Sequence, residues 1–354
     1  MFKKIYVLPF FALGLILTSC ETDFSLNGEY EITPVVFGLL DHNDDVHIIK
    51  ITKAFLGDGN NYEYAQNPDS NYFTSVDAKV IEYKNNQKTG KEWQLHDSII
   101  SGKDANGVFY APDQKVYVFY TSELDSTAEY ELEADLNEGA HKISARTAMI
   151  QNFSVTYSLY FPTYKINFAA NTVNGVDDYK NWIFVVTEGY HGSRYNYRYT
   201  MNWTEYYADN STQNFSATRN NGDKFQLDPE KPLTQNAAFS GLDFYNWVQG
   251  VVPDDPNVVQ RKMTGIDLKI SVAHADLDQY LDVAQPVSGI AQVQPEYTNI
   301  EGGLGLFSSR AILEIKNIKL DKPSTRELCK GQYTISKGFC SSAPEDVAEP
   351  YYCP

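Results

Sequence analysis

The stretch AEYELEADL, residues 128–136, sets Ala128, Tyr130, Leu132, Ala134 and Leu136 on one side of a two-residue period. Glu129, Glu131, Glu133 and Asp135 occupy the other side. Successive strand side chains point to opposite faces, so this is a strand buried on one face and acidic on the other. A 3.6-residue period would scatter the four acids around a helix.

Working outward, the same alternation marks strands at 31–39, 46–54, 76–83, 93–98, 116–122 and 141–147. The turn-rich clusters DHNDD, GDGNN, KNNQKTGK, GKDANG and NEGA separate them. Seven short strands at this spacing predict an immunoglobulin-like β-sandwich over residues 29–150. DHNDD (41–45) carries oxygen ligands at alternate positions but lacks the glycine and distal glutamate of a calcium loop, so it reads as a polar hairpin turn.

Residues 151–325 read as a second β-rich domain with two or three short helices. WIFVV (182–186) fits a central strand, and Ile266, Leu268, Ile270 and Val272 alternate with polar partners. SGLDFYNWVQG opens with capping-box spacing at Ser240 and Asp243 and stops at Gly250. ADLDQYLDVAQP starts at an acid and ends before Pro286. YTNIEGGLGLFSSR (297–310) has neither the lysine nor the glycine spacing of a phosphate loop. It predicts a tight turn with positive φ that delivers Leu304 and Phe307 into a core. In GYHGSRYNYRYTMNWTEYY (189–207), Tyr195, Tyr197, Tyr199 and Trp203 share one strand face with Met201. That row is either a platform for stacking sugar rings or an aromatic face against a core.

Residues 326–354 form a cysteine-containing tail. Cys329, Cys340 and Cys353 cannot all pair with one another, and the short loop favours a Cys329–Cys340 disulfide with Cys353 left over. No histidine lies within fifty residues of them, and no metal ion or other cofactor is expected.

At the start of the chain, Lys3 and Lys4 precede an apolar run from Ile5 to Leu17, and Leu17-Thr18-Ser19 leads into Cys20. Residues 1–19 have the charge, length and small-residue exit of a secretory signal peptide, and the run is too short to span a bilayer. The pattern Leu-Thr-Ser-Cys resembles the lipobox of bacterial lipoproteins, which implies fatty acids on Cys20 and a tether over 20–28. Glu21 and Asp23 resemble the signal that sends Bacteroidota lipoproteins to the cell surface.

Removing residues 1–19, with two lysines and no acid, takes the formal charge from −17 to −19 over 335 residues. So acidic a chain repels phosphate backbones and anionic headgroups, which argues against nucleic acid as a partner. With 26 Tyr, 19 Phe and 4 Trp the composition favours sheet over helix. The chain has no HExxH, no GxSxG and no SxxK beside a suitable partner, and its six histidines are scattered, so no catalytic residue is assigned. Asp97-Ser98-Ile99 and Asp125-Ser126-Thr127 resemble the acceptor of Bacteroidota O-glycosylation, which makes Ser98 and Ser126 candidates.

NIEGGLGLFSSR near the C-terminus and HIIKITKAFLGDG (47–59), together with the lipobox and the N-terminal strand sandwich, resemble a Bacteroidota outer-membrane lipoprotein family catalogued as a domain of unknown function. That resemblance implies a two-part β fold and an association with TonB-dependent outer-membrane transporters. It supplies no catalytic residues. The expectation is a non-enzymatic, lipid-anchored, outward-facing protein that binds beside an outer-membrane β-barrel or transporter. The alternatives are a glycan-binding nutrient-capture lipoprotein and an extracellular hydrolase.

Overall fold

The alternating stretches form strands, and they close into two β-sandwich units. The computed structural model describes residues 32–54, 61–102, 113–122, 124–170, 178–284 and 296–353. The signal-peptide and tether readings, Cys20 included, lie outside them.

The first unit contains β1 (Pro34–Leu40), β2 (Val46–Lys53), helical turns α1 (Asn61–Ala65) and α2 (Pro68–Asn71), β3 (Val76–Lys84), β4 (Gln87–Gln94), β5 (His96–Ile100), β6 (Gln114–Tyr120), β7 (Glu129–Leu136) and β8 (His141–Ala148). One sheet runs β1-β2-β6-β5 and the other β4-β3-β7-β8. This is the immunoglobulin strand order, four strands facing four. Val36, Ile49, Ile51, Tyr117 and Phe119 of the first sheet meet Val80, Tyr130, Leu132 and Leu136 of the second in one core. The acids of β7 face outward, where Arg146 pairs with Glu129 at 2.7 Å and Lys88 with Glu133 at 3.5 Å.

The strand expected at 93–98 is instead the crossing between two strands. Leu95 is buried between β4 and β5, its N–H bonded to the Ala78 carbonyl at 2.8 Å, and the chain changes sheets there. An inward leucine flanked by polar residues continues the alternation through the corner, so the pattern does not reveal the break.

The second unit contains β9 (Ser154–Val155), β10 (Lys165–Ile166), β11 (Ala169–Ala170), β12 (Asp178–Tyr179), β13 (Asn181–Thr187), β14 (Gly192–Tyr207), β15 (Thr212–Phe225), β16 (Thr234–Ser240), α3 (Gly241–Val251), β17 (Val258–His274), α4 (Ala275–Val283), β18 (Leu304–Leu320) and α5 (Lys322–Lys330). Long strands in the order β15-β14-β17-β18 face the three-stranded sheet β16-β13-β9 across an aromatic core. Both expected helices are present. Ser240 caps α3 by accepting the Asp243 N–H at 3.2 Å. His274 caps α4 through the Asp276 N–H. The tail is more ordered than its sequence implies: Asp321 caps α5, and Leu328, Cys329, Phe339 and Tyr351 pack into the core.

Strand β18 belongs to both units. Residues 304–309 pair in parallel with β1, and residues 310–318 pair antiparallel with β17 on the opposite edge. Each half therefore has one edge without a strand partner, where buried polar groups need other partners. Asn299 supplies one set: its side-chain amide donates to the Phe307 carbonyl at 2.7 Å and accepts the Phe307 N–H at 3.0 Å. Asp41, 1% exposed, supplies another by accepting the Ile312 N–H at 3.1 Å. Ser309 Oγ then donates to the Ala148 carbonyl at 2.6 Å.

The glycine segment leads into this strand. Gly302 has φ of +75°, as expected of a positive-φ turn, and Gly305, already inside β18, has φ of +108°. A Cβ on Gly305 would lie 2.0 Å from the Val36 carbonyl oxygen. Phe307 is fully buried, but Leu304 is 37% exposed, a correction to the expectation that both enter a core. The strand's alternation turns Leu304 to the outside while Phe307 points in. Gly305→Ala should destabilise the protein by roughly 3 kcal/mol, from left-handed strain and the backbone clash. Gly250→Ala, in α3 with open space around it, should stabilise it by about 0.5–1 kcal/mol. Denaturant unfolding of the two variants checks both signs.

Candidate functional site

The aromatic row is not a ligand platform. Tyr195, Tyr197, Tyr199 and Trp203 are between 0% and 3% exposed. They line the inner face of β14, opposite Trp182, Phe184 and Phe239 of the three-stranded sheet. Tyr195 OH donates to Gln226 Oε1 at 2.8 Å and accepts the Gly189 N–H at 2.8 Å. Tyr199 meets the Trp247 ring edge-on with centroids 5.4 Å apart, and Trp203 stacks on Phe215 at 5.8 Å. The second sheet covers this face.

The cysteine pairing is also corrected. The disulfide joins Cys340 to Cys353, with Cα atoms 5.6 Å apart, and Cys329 is a buried free thiol. The Cys353 N–H donates to the Ser341 carbonyl at 2.7 Å, next to a bridge between Ser341 and Tyr352, which holds 353 close to 340, whereas Cys329 faces inward from α5. Burial pushes the Cys329 thiol up to about 12, so it stays protonated. Arg261 fastens the tail: its guanidinium donates to Glu205 Oε1 at 2.7 Å and to the Lys337 carbonyl at 2.6 Å. Burial raises the Glu205 carboxyl, but bonds from Arg261, Tyr207 and Trp203 outweigh it and hold the group below its ordinary value.

Other polar groups of the second unit hold its elements together. Arg194 is buried and donates to Asp278 at 2.6 Å and to Asp282, clamping α4 onto β14. His191 and His274 approach within 6.4 Å, each beside its own carboxylate, Glu230 at 2.9 Å and Asp276 at 3.3 Å. Among the described residues, no group of three or more His, Cys, Asp or Glu side chains is placed to hold a metal ion. Ser98 is half-buried on edge strand β5, and Ser126 lies in the turn before β7.

The surfaces that remain are outer sheet faces. The outside of β4-β3-β7-β8 borders a 660 Å³ cleft with Asp77, Glu92, Glu131, Glu133, Lys79 and Lys142 on its walls. The outside of β18-β1-β2-β6 carries an apolar strip, with half-buried Lys50 of β2 opposite Phe37. Val46 and Ile48 of β2 are 44% and 43% exposed, and they lie opposite Tyr120 and Val118 of β6. Phe37 of β1 is 38% exposed, lies opposite Leu306 and meets the Tyr280 ring of α4 edge-on at 5.6 Å. Phe37, Val46, Ile48, Tyr280, Leu281 and Leu306 line a 380 Å³ groove, rimmed by Asp44 and Arg310 at 3.4 Å from each other. The exposed apolar residues thus form a contiguous strip across three adjacent strands and a helix, not scattered surface positions. The aliphatic residues at 46 and 48 had been visible as part of a strand, but alternation does not say that both faces would be apolar.

No protein-family model matches this sequence, and no curated protein matches it either.

Alkylation of the native protein should leave Cys329 unmodified. After unfolding without reductant, Cys329 should react while peptides containing Cys340 and Cys353 remain joined. A peptide pair joined through Cys329 and Cys340 would contradict the assignment.

Proposed function

We propose that this protein is a non-enzymatic lipoprotein, anchored to the outer membrane through Cys20, that docks the apolar strip on the outside of its first sandwich against an outer-membrane β-barrel or transporter protein. The observation that carries the reading is the strip formed by Phe37, Val46, Ile48 and Leu281, in a chain whose Leu-Thr-Ser-Cys resembles a lipobox.

The strip and the anchor support each other. Between Cys20 and Pro34 lie 13 residues, which reach at most about 45 Å when fully extended. They end at β1, the strand that carries Phe37. An anchor of this reach confines the docking face to a thin layer at the membrane and raises its effective concentration toward membrane proteins. The chain's formal charge of −17 favours a protein partner with a basic rim over an anionic bilayer.

The test is cross-linking in native membranes followed by affinity purification. The wild-type chain should return with a β-barrel protein. A Phe37→Ser, Ile48→Ser variant should stay in the membrane fraction and lose that partner. A Cys20→Ala variant should leave the membrane fraction. Purification that repeatedly returns the wild-type chain alone contradicts the docking reading, and a Cys20→Ala variant held as firmly as wild type contradicts the anchor.

A further inference from the structure

The three-stranded sheet of the second unit differs from the other sheets in its chemistry. Its strands, Ser154–Val155, Asn181–Thr187 and Thr234–Ser240, contain no Asp, Glu, Lys or Arg, and neither does the whole stretch 153–164. Those 26 residues would carry about five charges at the chain's average of 21%, so the face is set apart from an otherwise charged surface.

WIFVV was expected to be a central strand, and β13 is central in its sheet, but it is covered on one face only. Trp182, Phe184 and Val186 point into the core, while Ile183 and Val185 are 55% and 41% exposed. Around them the outer face presents exposed Asn181, Thr187, Thr234, Asn236 and Ser154. These are neutral hydroxyl and amide groups, able both to donate and to accept hydrogen bonds.

A one-turn helix at Tyr157–Tyr160 follows β9 at the edge of this sheet and, with Phe161, carries three exposed rings. Tyr157 is 73% exposed, and Tyr160 and Phe161 are each 48% exposed. They are held in place. Leu159 is buried beneath them, and the Leu159 and Phe161 N–H groups bond to the Thr156 and Ser158 carbonyls at 3.1 Å. Thr156 is tied to β13 through its N–H to the Val185 carbonyl at 2.9 Å and its hydroxyl to the Val185 N–H at 2.9 Å. The Tyr157 and Phe161 rings pack edge-to-face with centroids 5.1 Å apart. Rings ordered in advance lose little freedom when a ligand arrives.

We propose that this face binds a neutral polysaccharide, with Tyr157 and Tyr160 stacking on the C–H faces of its sugar rings and the surrounding Asn, Ser and Thr side chains meeting its hydroxyls. No cation stands on these strands to pair with an anionic ligand, and Lys224 of β15, at their edge, is already bonded to the Asn236 carbonyl. The density of hydroxyl and amide groups selects against a purely apolar one, which would leave them without partners. The site is separate from the apolar strip on the first sandwich, and the proposal does not rest on the docking reading.

The test is affinity electrophoresis of the full-length protein in mild detergent, through gels holding soluble starch, dextran, mixed-linkage β-glucan, galactomannan or xylan. Alginate and polygalacturonate serve as anionic controls. At least one neutral polymer should retard the wild-type protein and the anionic ones should not. Tyr157→Ala with Tyr160→Ala should weaken retardation about tenfold or more. Ile183→Lys, at an exposed position that leaves the core intact, should weaken it comparably while circular dichroism stays native. Phe37→Ser should leave it unchanged. The proposal is overturned if no neutral polymer retards the protein, or if retardation survives both sets of variants. It is also overturned if Tyr157 and Tyr160 instead prove necessary for binding phosphatidylcholine vesicles or for self-association.

Discussion

Strand β18 is the constraint on which the rest of the structure depends. It pairs with β1 on one edge and, from residue 310 onward, with β17 on the other. A strand that changes partners leaves backbone groups exposed on alternate edges, and in a buried setting each orphan costs about 1–3 kcal/mol. Asn299 stands in for a missing strand beside Phe307, and Asp41 does so beside Ile312. The glycine near the start of the strand matters for a related reason: Gly305 lets it run against the Val36 carbonyl with no side chain between. With β18 continuous, the two sandwiches share covalent and hydrogen-bonded structure, instead of meeting through a linker.

One consequence is that three outer faces of different chemistry are held on one body. The β4-β3-β7-β8 face is charged, with its glutamates partly answered by lysines and Arg146. The β18-β1-β2-β6 face carries an apolar strip, and the β16-β13-β9 face is neutral, polar and aromatic. Interfaces differ in which water they displace and which partners can replace it, so three such faces suit three kinds of neighbour. Under the two proposals above, the apolar strip of the first unit would hold a partner protein and the neutral face of the second would present a ligand.

Much of the fold was legible from alternation, because burial on one face of an antiparallel strand writes a two-residue period into the sequence. AEYELEADL is the clearest case, and the Ser240 cap of α3 was equally direct. Periodicity groups side chains onto one face, but it does not say whether another sheet covers that face. The tyrosines of β14 therefore read as a core or partner face before an open platform, with both left open, and the covering sheet made them core. The reverse holds for WIFVV: an unbroken apolar run suggests cover on both faces, yet Ile183 and Val185 face outward. Tyr157, Tyr160 and Phe161 drew no attention because a one-turn helix leaves no period to read. Loop length favoured Cys329–Cys340, but pairing follows from which backbones meet, and a bridge between Ser341 and Tyr352 carries no sequence signal. Asp41 sat in a turn that looked like ordinary polar chemistry, because the N–H it receives comes from residue 312.

The central claim is that β18 makes the two sandwiches one cooperative unit. Native-state hydrogen exchange in increasing denaturant tests it most directly, comparing amides of β7 in the first sandwich with those of β14 in the second. The account predicts that both sets lose protection together at the same denaturant concentration, and that Asp41→Ala lowers both by the same amount. Two separate transitions, or an Asp41→Ala change confined to one sandwich, would contradict it.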